Sequence, residues 1–367
     1  MAEKRLLKDP STGTAYLVES LRLWYFFDKA AACYPVVWDY QTIHEPISSG
    51  RWEPRYTYWV SSTIYIESTL TICPGTTVKL NPYTSIDIVT GGKILAKGHP
   101  YNYITFTKAE DDNCGEPIVN APPGHSDTAI DIASDASWSC AIQYCKIAHA
   151  NTGLRVRRSL AAPIAHNIVR DTCTYGLRLE NCTTDCHNNL IANSGGYGIY
   201  CSYLSYSDLT NNTIDNCSYG ILSYAASNVN AYDSLFTNAY YGVYSYGDGG
   251  GMYVDHCAFF NIPPEDQIVG ADEGDNISID DPYDHDSTFG DYYLSDYGVG
   301  VLGNAGHTQA SDAAVGLASE VFTLRAPDEV AVSEYKAPVT WSKITYKDGT
   351  PDEGLVAIGY HHSRTDR

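Results

Sequence analysis

The chain has 367 residues and carries 44 Asp and Glu against 23 Lys and Arg, which gives a net charge of −21 at pH 7. Such an excess of negative charge repels polyanions, so nucleic acid is excluded as a partner. No apolar run approaches the roughly 18 residues that a membrane-spanning helix requires, so the sequence predicts no membrane span.

Residues 1–55 contain no repeat. Within them, SLRLWYFFDKAAACY (residues 20–34) places Trp24, Phe27 and Ala31 on one face of an amphipathic helix. A repeat begins at residue 56, and the open end of a stacked repeat must be covered. We therefore predict an N-terminal helical cap over residues 1–55, with the remnant of another domain as the alternative. The first residues, MAEKRLLKDPSTGTAY, lack the apolar stretch of a secretory signal peptide.

Five glycines then recur at steps of 23, 22, 22 and 22 residues, a period typical of a solenoid. Each glycine opens a short apolar run in which alternation turns the first and third following residues inward. Such a coil is too short for a strand–helix–strand unit, which needs about 30 residues or more. We predict an all-β fold, a single-stranded right-handed parallel β-helix solenoid over residues 56–262. The glycines are Gly153, Gly176, Gly198, Gly220 and Gly242.

A second column of apolar residues supports the same register. Its members are flanked on both sides, two residues away, by columns rich in Asn, a residue that tolerates left-handed backbone at turns. The apolar column is Ile147, Val169, Ile191, Ile214, Phe236 and Phe259; the column before it is Cys145, Asn167, Asn189, Asn212, Ser234 and Cys257; the column after it is His149, Asp171, Asn193, Asn216, Asn238 and Asn261.

These Asn-rich turns and glycine-initiated strands resemble the repeats of the pectate-lyase-like β-helix proteins. Residues 70–112, LTICPGTTVKLNPYTSIDIVTGGKILAKGHPYNYITFTKAEDD, are similar to the first coils of bacterial secreted and adhesin-like β-helices. The resemblance implies an extracellular or cell-surface location. It leaves the activity open, because this fold carries lyases, hydrolases, epimerases, tailspikes and adhesins.

Two segments depart from the repeat. Residues 111–127 are predicted to form a loop that reaches over one face of the coils. Residues 263–367 begin with an acidic stretch and are similar to the closing segment of the same proteins, so we expect them to pack along the last coils and cap the solenoid.

Tyrosines recur next to the glycines. Two interpretations fit them: aromatic rings one coil apart stabilise the stack, or the strip binds sugar rings. The substrate-binding candidates are Tyr175, Tyr197, Tyr219, Tyr241, Tyr200 and Tyr244, together with Arg157.

Charged residues cluster on the earlier coils, where Asp131 is expected one coil before Arg155, and Glu180 one coil after Arg157. Cross-coil salt bridges are one interpretation. The other is a uronate-binding patch with catalytic candidates Arg155, Arg178, Asp131 and Glu180. The resemblance implies a lyase in which Lys or Arg acts as base and Asp-bound calcium compensates the substrate carboxylate. Hydrolysis needs a carboxylate pair, which the coils do not show, so a lyase is favoured over a hydrolase.

The acidic tail offers Ca²⁺ candidates in Asp280, Asp284 and Asp286, although their spacing fits no EF-hand loop and a solvated acidic loop is the alternative. No other cofactor is expected. The 11 cysteines follow no metal-binding spacing; small buried side chains, disulfides and metal ligands remain open for them.

The sequence thus predicts an extracellular or surface-associated β-helix repeat protein whose partner is a polysaccharide or cell-surface glycan, in a binding or scaffolding role. A polysaccharide lyase or glycoside hydrolase on the same fold is the first alternative, and a structural adhesin or tailspike-like protein is the second. The sequence leaves open whether the protein is an enzyme.

Overall fold

Three parallel sheets wind around a common core in about ten turns, which makes the protein a parallel β-solenoid. The computed structural model describes residues 16–18, 23–25, 40–43, 50–99, 102–203, 205–225, 227–247, 251–283, 292, 295–302 and 305–306. Coils of about 22 residues and very few helices confirm the predicted all-β parallel β-helix.

Each coil contributes one short strand to each sheet in turn. Sheet A contains β4 (Gly50–Trp52), β7 (Thr69–Ile72), β10 (Lys93–Lys97), β13 (Ala141–Gln143), β16 (Ile164–Ala165), β19 (Cys186–His187), β22 (Tyr206–Thr210), β25 (Asn228–Tyr232), β28 (Met252–Asp255) and β31 (Asp272–Glu273). Sheet B contains β3 (Tyr40–Ile43), β5 (Thr57–Val60), β8 (Thr77–Leu80), β11 (Ile104–Lys108), β14 (Cys145–Ala148), β17 (Ile168–Arg170), β20 (Leu190–Ala192), β23 (Thr213–Asp215), β26 (Leu235–Thr237), β29 (Ala258–Phe260) and β32 (Ile277–Ile279). Sheet C contains β6 (Ile64–Ile66), β9 (Ile86–Ile88), β12 (Ser126–Ile132), β15 (Ala150–Val156), β18 (Tyr175–Glu180), β21 (Tyr197–Ser202), β24 (Tyr219–Tyr224), β27 (Tyr241–Tyr246) and β30 (Ile268–Val269).

The sheet ladders extend beyond the predicted coil range of 56–262 at both ends. Strand β3 pairs with β5 before it, and β32 pairs with β29 after it. Among the described residues, the two helices are α1 (Pro264–Gln267) and α2 (Asp296–Leu302), which both belong to the C-terminal segment.

The predicted N-terminal helix is wrong for the part of residues 20–34 that the structure describes. Residues Leu23–Tyr25 form strand β2, which pairs antiparallel with β1 (Tyr16–Val18). Aromatic and β-branched residues suit strands, and both tripeptides consist of such residues and leucine. The rest of residues 20–34 lies outside the described residues, and the cap itself stays a prediction.

The inward columns form one continuous core. Leu154, Leu177, Ile199, Ile221 and Val243, the residues that follow the five glycines, are each fully buried. The glycines themselves are required by close packing. A Cβ atom on Gly198 would lie 2.5 Å from Ile214 Cγ2 and 2.6 Å from the carbonyl oxygen of Gly220.

The two Asn-rich columns occupy the turns on either side of sheet B. Between sheets A and B, buried Asn167, Asn189 and Asn212 each accept a hydrogen bond from the backbone N–H of the preceding coil through Oδ1, at 2.9–3.0 Å. Each donates its amide to a backbone carbonyl of that coil as well. The column that follows sheet B, from His149 to Asn261, has left-handed backbone throughout, with φ between 51° and 59°.

The outer face of sheet B is covered at two places. Near the start of the solenoid, the 111–127 loop lies over it: Glu116 N–H donates to Thr57 Oγ1, and Lys79 Nζ donates to Glu116 O, both at 2.8 Å. Near the end, Tyr283 and Leu302 of the C-terminal segment pack against Leu235 and Ala258. The described residues of both segments named here therefore lie over the coils, and the capping role of residues 263–367 stays a prediction.

Candidate functional site: the outer face of sheet C

The outer face of sheet C brings together most of the residues singled out in the sequence. Strand pairing aligns Asp131, Arg155, Arg178, Tyr200, Leu222 and Tyr244 in one column that runs along the solenoid. A neighbouring column aligns Thr152, Tyr175, Tyr197, Tyr219 and Tyr241. The registers predicted from the glycine period are therefore present.

The second column forms a tyrosine ladder, defined here as Tyr175, Tyr197, Tyr219 and Tyr241. Consecutive ring centroids are 5.1, 5.2 and 5.0 Å apart, and the planes differ by only 13°, 22° and 20°. Near-parallel stacking at the coil spacing stabilises the column. It also means that the interior rings cover one another's faces.

The hydroxyl groups of the ladder stay available. The four side chains are half-buried, and their phenol groups form no hydrogen bond within the described residues. Burial raises the pKa of Tyr197, so this phenol stays protonated near neutral pH and can donate as well as accept.

Tyr200 and Tyr244 form a second row that crosses the ladder. The Tyr200 ring is inclined by 64° and 61° to Tyr175 and Tyr197, with centroids 5.3 and 5.4 Å away. Tyr244 contacts Tyr219 and Tyr241 in the same way, at 5.7 and 5.1 Å. Six tyrosines therefore form one continuous aromatic surface, although Leu222, which lies between the two crossing rings in the column, is buried.

The charged residues form one connected group, the Arg/acid network, which consists of Arg155, Arg157, Arg178, Asp131 and Glu180. Arg155 Nε lies 2.6 Å from Glu180 Oε2, and Arg178 lies 2.7 Å from Glu180 Oε1. Arg157 binds Asp131 with two nitrogen atoms, at 2.9 and 3.3 Å. Both carboxylates are buried, whereas the guanidinium groups are partly exposed. The cross-coil salt bridges considered from the sequence are present, and each of these three arginines has a carboxylate partner.

Arg178 joins this network to the tyrosines. Its guanidinium carbon lies 4.8 Å from the centroid of Tyr175 and 5.8 Å from that of Tyr200. A cation at this distance from a ring is held by cation–π attraction. The Arg/acid network and the aromatic surface are thus parts of one face.

Two shallow grooves border sheet C. One, of about 470 Å³, is lined by Arg157, Glu180, Asn181 and Tyr203 among others. The other, of about 370 Å³, lies along the left-handed turn column and includes Asn193, Asn216 and Tyr240. The sequence reasoning missed Tyr203 and Tyr240, which are 57% and 67% exposed. The only signal for Tyr240 was its position directly before a ladder tyrosine.

The metal candidates find no support. Asp280 is exposed, whereas Asp284 and Asp286 lie outside the described residues. Across the part of the chain that the structure describes, no group of three or more His, Cys, Asp or Glu side chains is placed to hold a metal ion.

The described cysteines are free thiols, and eight of the ten are buried. Burial raises the pKa of Cys182 to about 11 and that of Cys217 to about 12, so these thiols stay protonated. They behave as small core side chains, which was one of the three possibilities left open.

Comparison with known proteins adds one match. Residues 87–261 match the family described as "Periplasmic copper-binding protein (NosD)". No curated protein and no solved structure compared with the chain matches it significantly. Among the described residues, no helix is long and apolar enough to cross a membrane. The chain is therefore a right-handed parallel β-helix protein whose coils between residues 87 and 261 are similar to the NosD family.

Proposed function

We propose that the protein is a binding or scaffolding solenoid of the periplasm or cell exterior, and that the outer face of sheet C binds a polysaccharide or cell-surface glycan. The observation that carries the proposal is the row of ladder tyrosines, half-buried, with hydroxyl groups that have no partner in the described chain. The periplasmic location is supported by the description of the matching family.

The spacing of the ladder favours a chain-like ligand. Rings recur every 5.0–5.2 Å along the solenoid, a step similar to the length of one sugar ring in an extended polysaccharide. The face is flat and bordered only by shallow grooves, whereas small-molecule sites are usually enclosed. Because the interior ring faces cover one another, contact would be made by hydroxyl groups and ring edges rather than by stacking on the sugar.

Catalysis by the Arg/acid network receives less support. Arg155, Arg157 and Arg178 already bind Asp131 or Glu180. A substrate carboxylate would have to displace these partners. A uronate lyase therefore ranks below binding, and the aligned Asp and Arg residues serve to hold successive coils together.

Copper binding is not carried over from the matching family. A copper site needs several imidazole, thiolate or thioether ligands in one place, and the described residues hold no suitable group of three His, Cys, Asp or Glu side chains. The donor set of these coils does not fit the metal, so no role is derived from it.

The experiment is a glycan array followed by calorimetry on the full chain. We expect binding that is lost in the triple variant Tyr197→Phe, Tyr219→Phe, Tyr241→Phe, because this variant removes the hydroxyls but keeps the stacked rings. Tyr65→Phe and Tyr83→Phe, which lie outside the ladder, are the matched controls and should bind normally.

Two results would contradict the proposal. One is the absence of binding to any glycan on the array. The other is binding that the triple variant retains in full. Formation of unsaturated uronate products from acidic polysaccharides would instead favour the lyase.

A further inference from the structure

The two ends of the tyrosine ladder differ in charge. At the Tyr175 end, the Arg178 guanidinium lies over the ring at 4.8 Å. At the other end, burial raises the pKa of Tyr241, and neighbouring Tyr240 and the carboxylate of Asp266 raise it further. A guanidinium, itself paired with Glu180 at 2.7 Å, therefore lies at one end of the ladder, and the carboxylate of Asp266 acts on the ring at the other end.

This difference between the two ends favours an oxidised tyrosine at the Tyr241 end. Removing one electron from a phenol creates positive charge on the ring until its proton leaves. A nearby cation disfavours that charge and a nearby anion favours it. Stacked rings about 5 Å apart are close enough to exchange an electron, so an oxidising equivalent that enters the ladder would collect at the Tyr241 end.

Tyr240 is a solvent-exposed ring in contact with this end of the ladder. Its ring centroid lies 4.8 Å from that of Tyr241, and the rings are nearly perpendicular, at 87°. Tyr240 is 67% exposed, whereas the ladder rings are half-buried. A radical formed in the ladder can thus reach a ring that a second protein molecule can approach.

We propose that Tyr240, at the end of the tyrosine ladder, is a site of oxidative phenol coupling between two copies of this chain. The oxidant is of the haem-peroxidase class acting with hydrogen peroxide. Each Tyr240 loses one electron and its phenolic proton, and the two phenoxyl radicals form a carbon–carbon bond ortho to their oxygens. The two ortho hydrogens then move to the oxygens, which restores both phenols. The peroxide takes up two electrons and two protons and becomes two water molecules.

The coupling is separate from glycan binding and does not rest on it. It would give a solenoid with a flat aromatic face a covalent way to assemble with its own copies. Tyr83 supplies a strict comparison, because it is 88% exposed, more than Tyr240, but contacts no ring of the described chain.

The test treats the full chain with a haem peroxidase and hydrogen peroxide, and maps dityrosine by fluorescence and peptide mass spectrometry. We expect a covalent dimer whose cross-link joins two Tyr240-containing peptides. Tyr240→Phe should lose most of this dityrosine, whereas Tyr83→Phe should keep it.

A second variant separates the ladder from simple exposure. Tyr219→Phe interrupts the ladder two rings from Tyr240 without changing the exposed ring, and it should lower the yield at Tyr240. Three results would overturn the proposal: Tyr83 as the main coupling site, an unchanged yield in Tyr219→Phe, or oxidation of the Cys217 thiol, which lines the same groove as Tyr240, in place of coupling.

Discussion

Sheets B and C lie on the same coils and repeat with the same spacing, but their outward side chains have different surroundings. On sheet B, Lys79 is fully buried beneath the 111–127 loop, and Leu235 is buried beneath the C-terminal segment. On sheet C, the tyrosines and arginines are packed against one another along the column and remain partly exposed.

The difference shows that an outward column can be stabilised in two ways. Where the column contains isolated apolar or charged residues, other parts of the chain cover it. Where equivalent positions hold like aromatic rings or alternating charges, neighbours one coil away supply the contacts. A face of the second kind needs no cover, which leaves it free to bind a partner.

The largest expected effect comes from removing a contact between the C-terminal segment and the outer face of sheet B. Leu302 is fully buried against the cluster that includes Leu235. Leu302→Ala should lower the free energy of unfolding by about 2–5 kcal/mol, because it removes apolar contact and leaves a cavity. Urea denaturation measures it. Tyr65→Ala on sheet C is the control; this side chain is 45% exposed and contacts no other ring of the described chain, and a change within about 0.5 kcal/mol is expected. Equal costs would show that the two faces do not differ.

The next prediction concerns the contacts that sheet C makes for itself. Glu180 is buried and binds both Arg155 and Arg178. Glu180→Gln should cost about 1–3 kcal/mol, between the values for exposed and buried ion pairs, and the loss should shrink as salt is added. Glu110→Gln, in the partly exposed pair with Lys108, should cost less. If Glu180→Gln leaves the free energy of unfolding unchanged, the network does not stabilise this face.

Much of the fold could be predicted from the sequence because stacking repeats each structural requirement at a fixed interval. The glycines had to recur, since a Cβ atom at Gly220 would meet the carbonyl oxygen of Gly242 at 2.3 Å. The Asn column before sheet B recurs because each side chain bonds the backbone of the preceding coil, and the column after sheet B recurs because each of its turns is left-handed. The strand at Leu23–Tyr25 is not part of the repeat, so it offered no such signal and a helix was predicted there.

The candidate site was predicted less completely. Its columns followed from the glycine period, but the period does not say how side chains meet. Arg155 aligns with Asp131 yet binds Glu180 more closely, at 2.6 Å against 3.8 Å. Whether ring faces are exposed or stacked also depends on side-chain torsions, which a sequence column does not encode. Tyr203 and Tyr240 belong to neither column of candidates, and only the folded chain brings them to the grooves.

The buried ammonium group of Lys79 on sheet B should make the free energy of unfolding depend on pH. Burial lowers the pKa of Lys79 from its usual 10.5. The unfolded chain therefore binds this proton more tightly, and stability should rise with pH from the lowered pKa of Lys79 in the folded chain up to its usual 10.5. Lys79→Met should be at least as stable as the wild type at pH 7, since the ammonium no longer has to be buried, and it should lose this advantage as the pH rises. Unfolding curves across this range measure the difference. Exposed Lys97→Met is the control and should leave the pH dependence unchanged.

The smallest expected effect comes from removing one hydroxyl group of the tyrosine ladder on sheet C. Tyr219 stacks on two rings of the ladder, at 5.2 and 5.0 Å. Tyr219→Phe keeps both contacts and should change the free energy of unfolding by less than about 0.5 kcal/mol. Tyr219→Ala removes them and should cost about 1–3 kcal/mol, since each aromatic pair contributes beyond its buried area. If Phe costs as much as Ala, the hydroxyl rather than the ring stabilises the column. The hydroxyls would then be engaged within the protein and unavailable to a ligand, so this stability measurement also bears on what the face of sheet C is free to bind.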